Sequence, residues 1–317
     1  MRRITTPFKI ILGVLTLVAL TSSAHAQKFS DWSAPINLGE NINSPATDGC
    51  PFISKDRLSL YFASNRPGTT GQLDLYVSER ASKNDPWGAP HNLGITINGT
   101  ANEFCPMLTT NQRMLFFVSN RPGGCGGDDL YVSIRRNKRD NFAWESPVNL
   151  GCQVNSPQND FTPSIFEDES GDAILYFSSN RPGGPGGTDI YASALLDEET
   201  LTFDTPIMVP GLNTEFDDQR PNVRRDGLEI FFDSDRHGSV GSFDLWTATR
   251  ESTSDNWSTP TNLGFVVNSA AVEGRPSLSF DATTLYFMSS RLGGSGGVDL
   301  YVTTRAKLPR QRQKNGR

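Results

Sequence analysis

Histidine and charge are both scarce in this chain. Only 3 of its 317 residues are histidine, and charged residues make up 20% of the sequence. His91 and His237 are the only histidines after residue 26. Two histidines are too few for a histidine-rich metal centre, and neither belongs to a Ser/His/Asp arrangement. The sequence therefore argues against histidine-based metal and nucleophile chemistry.

Long hydrophobic runs are also missing, with one exception near the N-terminus. Residues 10–20 are apolar, but a membrane-spanning helix needs about 20 such residues. Basic residues precede this run, and an Ala-x-Ala sequence ends at Ala26. These features predict a signal peptide over residues 1–26 and export through the general secretory route, to the periplasm or the extracellular space.

Positive charge is low outside the two ends of the chain. Residues 27–317 contain 26 basic and 35 acidic residues, a net charge of −9. Residues 307–317 hold five of the basic residues and no acid, which predicts a disordered basic tail. An acidic body repels nucleic acid and anionic membranes, so we expect neither as a partner.

What the chain does contain is glycine, proline and aromatic residues: 29 Gly, 20 Pro and 10% aromatics. Glycine and proline between short aromatic and β-branched runs predict an all-β fold with many tight turns.

Five internal repeats organise the sequence. A turn of the type Ser-Asn-Arg-Pro-Gly recurs, and its arginines are 55 or 60 residues apart. They are Arg66, Arg121, Arg181, Arg236 and Arg291. Eight residues after each arginine comes an aspartate: Asp74, Asp129, Asp189, Asp244 and Asp299. An acid also stands three residues before a proline in every repeat: Asp48, Glu103, Asp160, Asp218 and Glu273.

A period near 55 residues with four short strands is typical of a propeller blade. In the second repeat the strands are predicted near residues 105–108, 114–119, 130–134 and 143–150. We therefore predict one five-bladed β-propeller of four-stranded antiparallel blades over residues 27–306. Residues 32–38 should supply the outer strand that the last repeat lacks, and so close the ring. The repeats are placed around residues 40–95, 96–152, 153–211, 212–264 and 265–306.

The repeat resembles a known family. The pattern E-x-x-P followed by L-Y-F-x-S-N-R-P-G-G-x-G-G-x-D-L-Y-V is similar to the TolB-type, WD-like β-propeller repeat of bacterial envelope proteins. The resemblance implies a periplasmic or secreted propeller that often serves as a protein-binding platform. This chain has five repeats where TolB carries six.

The repeated charged residues allow more than one interpretation. We expect the arginine and aspartate of each loop to form a local ion pair that shapes the loop. The five acids before the innermost strands should surround one mouth of the channel. They are expected to be structural; the alternative is a Ca²⁺ or Mg²⁺ ion held by oxygen ligands, and no other cofactor is expected. Because catalytic acids have distinct roles, five equivalent acids argue against catalysis.

The four cysteines are Cys50, Cys105, Cys125 and Cys152, and all follow the predicted signal peptide. An oxidising compartment favours disulfides. Cys50 and Cys105 occupy equivalent positions in neighbouring repeats, and Cys125 and Cys152 lie in the same repeat. The predicted pairs are therefore 50–105 and 125–152.

The function predicted from these patterns is a monomeric, non-catalytic propeller that binds a protein at the cell envelope. The alternative is a carbohydrate-active propeller, lectin-like or related to glycosidases, which uses the central funnel. A funnel lined by non-equivalent carboxylates and aromatic rings would favour this alternative.

Overall fold

The computed structural model describes residues 27–168 and 171–309. The predicted signal peptide and residues 310–317 of the predicted tail lie outside the described residues. Every regular element in the described part of the chain is a β-strand. Accordingly, this part contains no helix that could cross a bilayer.

The strands form five antiparallel sheets, which are the blades of a five-bladed propeller. Blade 1 contains β2 (Asp48–Ile53), β3 (Ser59–Ser64), β4 (Asp74–Glu79) and β5 (His91–Asn92). Blade 2 contains β6 (Glu103–Leu108), β7 (Met114–Ser119), β8 (Asp129–Ile134) and β9 (Val148–Asn149). Blade 3 contains β10 (Asp160–Glu167), β11 (Ala173–Ser179), β12 (Asp189–Asp197) and β14 (Ile207–Met208), with an extra strand β13 (Thr202–Phe203). Blade 4 contains β15 (Asp218–Val223), β16 (Glu229–Ser234), β17 (Asp244–Thr249) and β18 (Thr261–Asn262). Blade 5 contains β19 (Glu273–Leu278), β20 (Thr284–Ser289), β21 (Asp299–Thr304) and, as its outer strand, β1 (Ile36–Asn37).

The ring is closed by its N-terminal strand, and the predicted fold class is confirmed. β1 pairs with β21, with Ile36 opposite Val302 and Asn37 opposite Tyr301. The backbone N–H of Ser33 also donates to the carbonyl of Thr304 at 2.8 Å. The free edge of the last blade is thereby paired, which removes a site for strand addition by another chain.

The outer strands are shorter than the repeat pattern predicts. In blade 2 a strand was expected over residues 143–150, but only Val148–Asn149 is a strand. Pro147 directly precedes it, and proline has no N–H to donate to a sheet. The proline of each Trp-x-x-Pro unit thus limits the outer strand.

The innermost strands contain a bulge at their third residue. Cys50, Cys105, Thr162, Arg220 and Arg275 have φ values between 51° and 59°, a left-handed conformation that non-glycine residues rarely adopt. Each of these residues precedes a proline, and the strand register shifts at this point. All five blades share the bulge, so it is a feature of the repeat.

Aromatic side chains fill the space between blades. Trp32 of blade 5 meets Phe231 of blade 4 edge-on, with ring centroids 5.9 Å apart. Phe203 of blade 3 meets Phe116 of blade 2 at 6.5 Å. Burying one such side chain contributes about 1.5–3 kcal/mol, so the blades stabilise one another mainly through these contacts.

Candidate functional site

Each of the five acids before the innermost strands is fully buried and engaged by an arginine of its own blade. Arg66 pairs with Asp48 at 2.5 Å, and Arg181 pairs with Asp160 at 2.6 Å. The remaining pairs are Arg121–Glu103 and Arg291–Glu273, both at 3.1 Å, and Arg236–Asp218. Because every acid has an arginine partner, the ring presents no open pair of carboxylates to a ligand. That these acids are structural stays a prediction.

The expected local ion pair between each loop arginine and the aspartate eight residues later is wrong. In blade 1, Asp74 accepts the backbone N–H of Thr70 at 2.8 Å and the side-chain amide of Asn92 at 2.7 Å. Arg66 instead reaches Asp48 and the carbonyl of Ile42. Asp129, Asp244 and Asp299 bind their own loops in the same way. The aspartates therefore close the glycine-rich loops, and the arginines join two loops at the mouth of the channel.

Asp189 of blade 3 departs from this arrangement. The outer-strand asparagine that donates to Oδ2 of the other loop aspartates is replaced here by Met208, whose side chain has no N–H to donate. The other carboxylate oxygen of Asp189, Oδ1, is buried without a hydrogen-bond partner among the described residues. Burial raises the pKa of Asp189 to about 6, more than the backbone N–H of Gly186 lowers it.

A disulfide lies at the centre of the ring. Cys50 and Cys105, on the innermost strands of blades 1 and 2, are bonded, with their Cα atoms 4.7 Å apart. The guanidinium of Arg275 contacts both sulfurs, and Thr162 Oγ1 lies 3.4 Å from Cys105 Sγ. Burial, together with the nearby charge of Arg220, lowers the pKa of Arg275 to about 9. These side chains narrow the channel at the level of the bulges.

A second disulfide joins Cys125 to Cys152 on the outside of blade 2. The structure thus joins the same two pairs of cysteines that the repeat alignment favours. Two disulfides are consistent with an exported protein. The secretion route stays a prediction.

A large cavity lies at the opposite end of the innermost strands, where the first hairpin loop of each blade points. It has a volume of about 730 Å³ and we call it the funnel. Its walls include Phe29, Thr110, Phe166, Glu167, Asp168, Arg224, Arg225, Asp226, Phe280, Asp281 and Lys307.

The funnel differs from the acid ring because its residues change from blade to blade. Counting seven residues from each ring acid gives one equivalent position per blade. The side chains there are Lys55, Thr110, Glu167, Arg225 and Phe280. Four of these line the funnel, and Lys55 lines the part of the channel directly below it. One repeated position therefore carries five different chemistries, including a carboxylate and an aromatic ring.

The carboxylates of the funnel differ in their surroundings. Asp281 pairs with Arg57 at 2.7 Å. Burial tends to raise the pKa of Asp281, but hydrogen bonds from Ser279 and Thr283, together with Arg57, lower it to about 2. Among the described residues no basic side chain forms an ion pair with Glu167, whose Oε2 accepts the backbone N–H of Thr110 at 3.1 Å.

Two cations flank the aromatic ring of the funnel. Lys55 Nζ lies 4.6 Å from the ring centroid of Phe280, and the guanidinium carbon of Arg225 lies 4.3 Å from it. Cations at this distance are attracted to the face of an aromatic ring. The position of the Phe280 ring is therefore fixed by neighbours from blades 1 and 4.

A recurrent arginine six residues after each loop aspartate was missed by the sequence analysis. Arg80, Arg135, Arg250 and Arg305 stack on the tryptophans Trp87, Trp144, Trp257 and Trp32, between 4.1 and 4.5 Å from the ring centroids. Blade 3 has Leu195 and Phe203 at these two positions. The joint loss of arginine and tryptophan in blade 3 was the signal that could have revealed the pair.

In the described ranges 27–168 and 171–309, no group of three or more His, Cys, Asp or Glu side chains is placed to hold a metal ion. The ring acids suggested for Ca²⁺ or Mg²⁺ face arginines instead.

No family model and no curated protein matches this chain. Solved structures do match. A thermostable family-43 glycoside hydrolase is 11% identical, with a TM-score of 0.57 and coverage of 85% of this chain and 92% of its own. The catalytic domain of a GH62 α-L-arabinofuranosidase from Coprinopsis cinerea is 13% identical, with a TM-score of 0.57 and coverage of 88% and 97%. At such identities the likeness shows a shared five-bladed propeller fold.

TolB from Acinetobacter baumannii also matches, at 15% identity and a TM-score of 0.48, over 78% of this chain and 53% of its own. A structural similarity with this TM-score supports no conclusion about function. The propeller part of the TolB-type resemblance is supported, and membership of that family stays a prediction.

These comparisons correct the predicted function. A non-catalytic, protein-binding platform was expected, but the solved structures of similar fold include several glycoside hydrolases. That prediction is wrong, and the carbohydrate-active alternative accords better with the findings. The five equivalent ring acids argued against catalysis, but the funnel contains non-equivalent carboxylates and an aromatic ring, which is the condition that favours the alternative.

Proposed function

We propose that this protein is a carbohydrate-active β-propeller that binds a glycan in the funnel and hydrolyses it there. The observation that carries the proposal is the variety of side chains at the one repeated funnel position. A ligand without fivefold symmetry needs different groups around it, and identical blades could not supply them. The funnel departs from the repeat where such a ligand would sit.

The chemistry of glycoside hydrolysis supports the same cavity. Most glycosidases use two carboxyl groups with distinct roles, one as acid and the other as base or nucleophile. Asp281 has a pKa of about 2 and is ionised at neutral pH, which suits the base or nucleophile. Glu167 has no ion-pair partner among the described residues, and we assign it the role of the acid. Phe280 offers an apolar ring edge against which a sugar can pack.

The experiment combines a glycan array with assays of reducing-end release on neutral and acidic oligosaccharides. Glu167→Gln keeps the shape of the side chain but removes the acid, so we expect turnover to fall by about 100-fold or more with little change in binding. Phe280→Ala should weaken binding instead. The matched control is Glu199→Gln, an exposed residue of the same blade that is not in the funnel.

A wild-type protein that neither binds glycans nor releases reducing ends would contradict the proposal. Equal activity in Glu167→Gln and Glu199→Gln would remove Glu167 from the mechanism.

A further inference from the structure

A second cavity, of about 330 Å³, lies between blades 3 and 4, and Thr253 lines both this cavity and the funnel. We call it the blade 3–4 slot. Tyr176 and Trp257 lie at the slot together with Arg250, and apolar side chains such as Ile174 and Val209 form much of its wall. The same place can be compared at other blade interfaces, because the blades are repeats.

Between blades 1 and 2 the equivalent place is filled by Asn141. This residue stands three positions before Trp144 and is buried. Its side-chain amide donates to Ser59 Oγ at 3.0 Å and to Glu79 Oε1 at 2.7 Å. Its oxygen accepts from Arg135 at 2.7 Å. A side chain of blade 2 therefore closes this interface.

Between blades 4 and 5 the equivalent place is filled by an aromatic ring. Phe29 stands three positions before Trp32. The guanidinium of Arg305 lies between these two rings, 3.8 Å from the centroid of Phe29 and 4.5 Å from that of Trp32. Arg305 also pairs with Glu229 at 2.6 Å. Here both faces of the guanidinium are covered by rings.

Between blades 3 and 4 the corresponding residue is Ser254, which is too small to fill the space. Arg250 is the equivalent of Arg305 and stacks on Trp257 at 4.2 Å, its one cation–π contact among the described residues; it also interacts with the hydroxyl of Tyr176. The slot is widened further by Ala192 and Ala194. The other blades have Val77, Val132, Thr247 and Val302 where blade 3 has Ala192, and Glu79, Ile134, Thr249 and Thr304 where it has Ala194.

We propose that the slot is a second binding site that takes an uncharged aromatic ring, part of a small ligand. The ring would lie against Arg250 as Phe29 lies against Arg305, on the side of the guanidinium away from Trp257. Apolar walls suit such a ring, and Arg250 favours an aromatic ring over a saturated one. Asp204 and Asp255 at the slot disfavour an anion.

The test uses benzyl alcohol as the probe and NMR titration of the whole protein as the measurement. Ser254→Phe installs the equivalent of Phe29, so it should fill the slot and weaken the binding of benzyl alcohol by roughly tenfold or more. The double variant Ala192→Val/Ala194→Ile copies residues of blade 2 and should act in the same direction. Thr259→Phe adds a ring to the same blade outside the slot and should leave the affinity unchanged.

Melting curves show whether each variant is folded, and Ser254→Phe is expected to melt at or above the wild-type temperature because it fills a cavity. Cyclohexylmethanol and benzoate are the comparison probes, and both should bind more weakly than benzyl alcohol. The proposal is overturned by an unchanged affinity in folded Ser254→Phe, by equal binding of cyclohexylmethanol, or by tighter binding of benzoate. None of these three results depends on glycan hydrolysis.

Discussion

Blade 3 and the other four blades have the same antiparallel sheet and the same arginine–acid pair, which we call the shared frame. They differ in several of the contacts around these elements. Blade 3 keeps the pair Arg181–Asp160, with the same geometry as Arg66–Asp48 of blade 1. It lacks the arginine–tryptophan stack and the asparagine that serves the loop aspartate. It also carries the longest innermost hairpin strands and supplies Glu167 to the funnel. The arginine–acid pairs that all blades retain stabilise the ring. The substitutions in blade 3 leave cavities and polar groups that the other blades lack.

The largest expected effect comes from removing a part of the shared frame. Asp160→Ala leaves Arg181 without its buried carboxylate, and breaking such a pair costs about 3 kcal/mol of unfolding free energy. Asp48→Ala should cost about the same unfolding free energy, because the two blades have equivalent arginine–acid pairs. Urea denaturation measures both changes, and Asp31→Ala, at an exposed aspartate, is the control.

The same variants distinguish a structural ring of acids from a cation site when their melting curves are measured. Melting curves with Ca²⁺ and with chelator should coincide for the wild type. A calcium-dependent rise that is lost in Asp160→Ala, or a cost that differs widely between the two blades, would disprove the shared frame.

A medium effect is expected from restoring the missing asparagine in blade 3. Met208→Asn places an amide donor beside Oδ2 of Asp189, the oxygen that accepts the asparagine amide in the other blades, which should stabilise the protein by about 1 kcal/mol at pH 8. The sign follows from the pKa. In the folded wild type the pKa of Asp189 is raised to about 6, so the folded state holds a proton that the unfolded state has lost between about pH 4 and 6. Wild-type stability therefore falls as the pH rises through this range.

Met208→Asn should remove most of that fall, because the new hydrogen bond favours the ionised carboxylate. Its stabilising effect is expected at pH 8 and should shrink at pH 4.5, where Asp189 is protonated. Denaturant unfolding at both pH values is the measurement, and Met208→Leu, which adds no donor, is the control. An equal gain in both variants would mean that the missing asparagine is not the cause of the raised pKa.

The smallest effect is expected from rebuilding the cation–aromatic stack. Leu195→Arg and Phe203→Trp together should be more stable than the sum of the single changes by about 0.5–1 kcal/mol. The double-mutant cycle isolates this coupling from the costs of the single changes. A coupling of zero would show that the stack in the other blades is a packing arrangement without a specific attraction.

Much of the fold could be read from the repeats, because hydrophobic periodicity and turn residues are local signals. The second strand of blade 2 was placed at residues 114–119, and Met114–Ser119 is the observed strand. The choice of ion-pair partner was not local. Arg66 is eight residues from Asp74 and 18 from Asp48, and sequence distance favoured the nearer acid. The antiparallel register places Asp48 opposite Ser64, two residues from Arg66, and so brings the distant acid closer.

The candidate site shows the same difference between what local sequence signals predict and what only tertiary contacts decide. Phe280, Glu167 and Arg225 could each be seen to break the repeat, but no pattern in the chain says that they share one cavity. That depends on the ring, which brings the first hairpin loops of four blades together at the funnel and places Lys55 of blade 1 at the adjoining cavity.

The sequence by itself determined that this protein is a closed ring of five similar blades, because each repeat has faces that only its neighbours can bury. The tertiary structure alone decided which mouth of the channel is occupied by ion pairs and which is a cavity. The physical reason is that side chains from different blades meet only after the ring has closed. Whether a space is filled, as by Asn141 and Phe29, or left open, as beside Ser254, depends on volumes contributed by two blades at once.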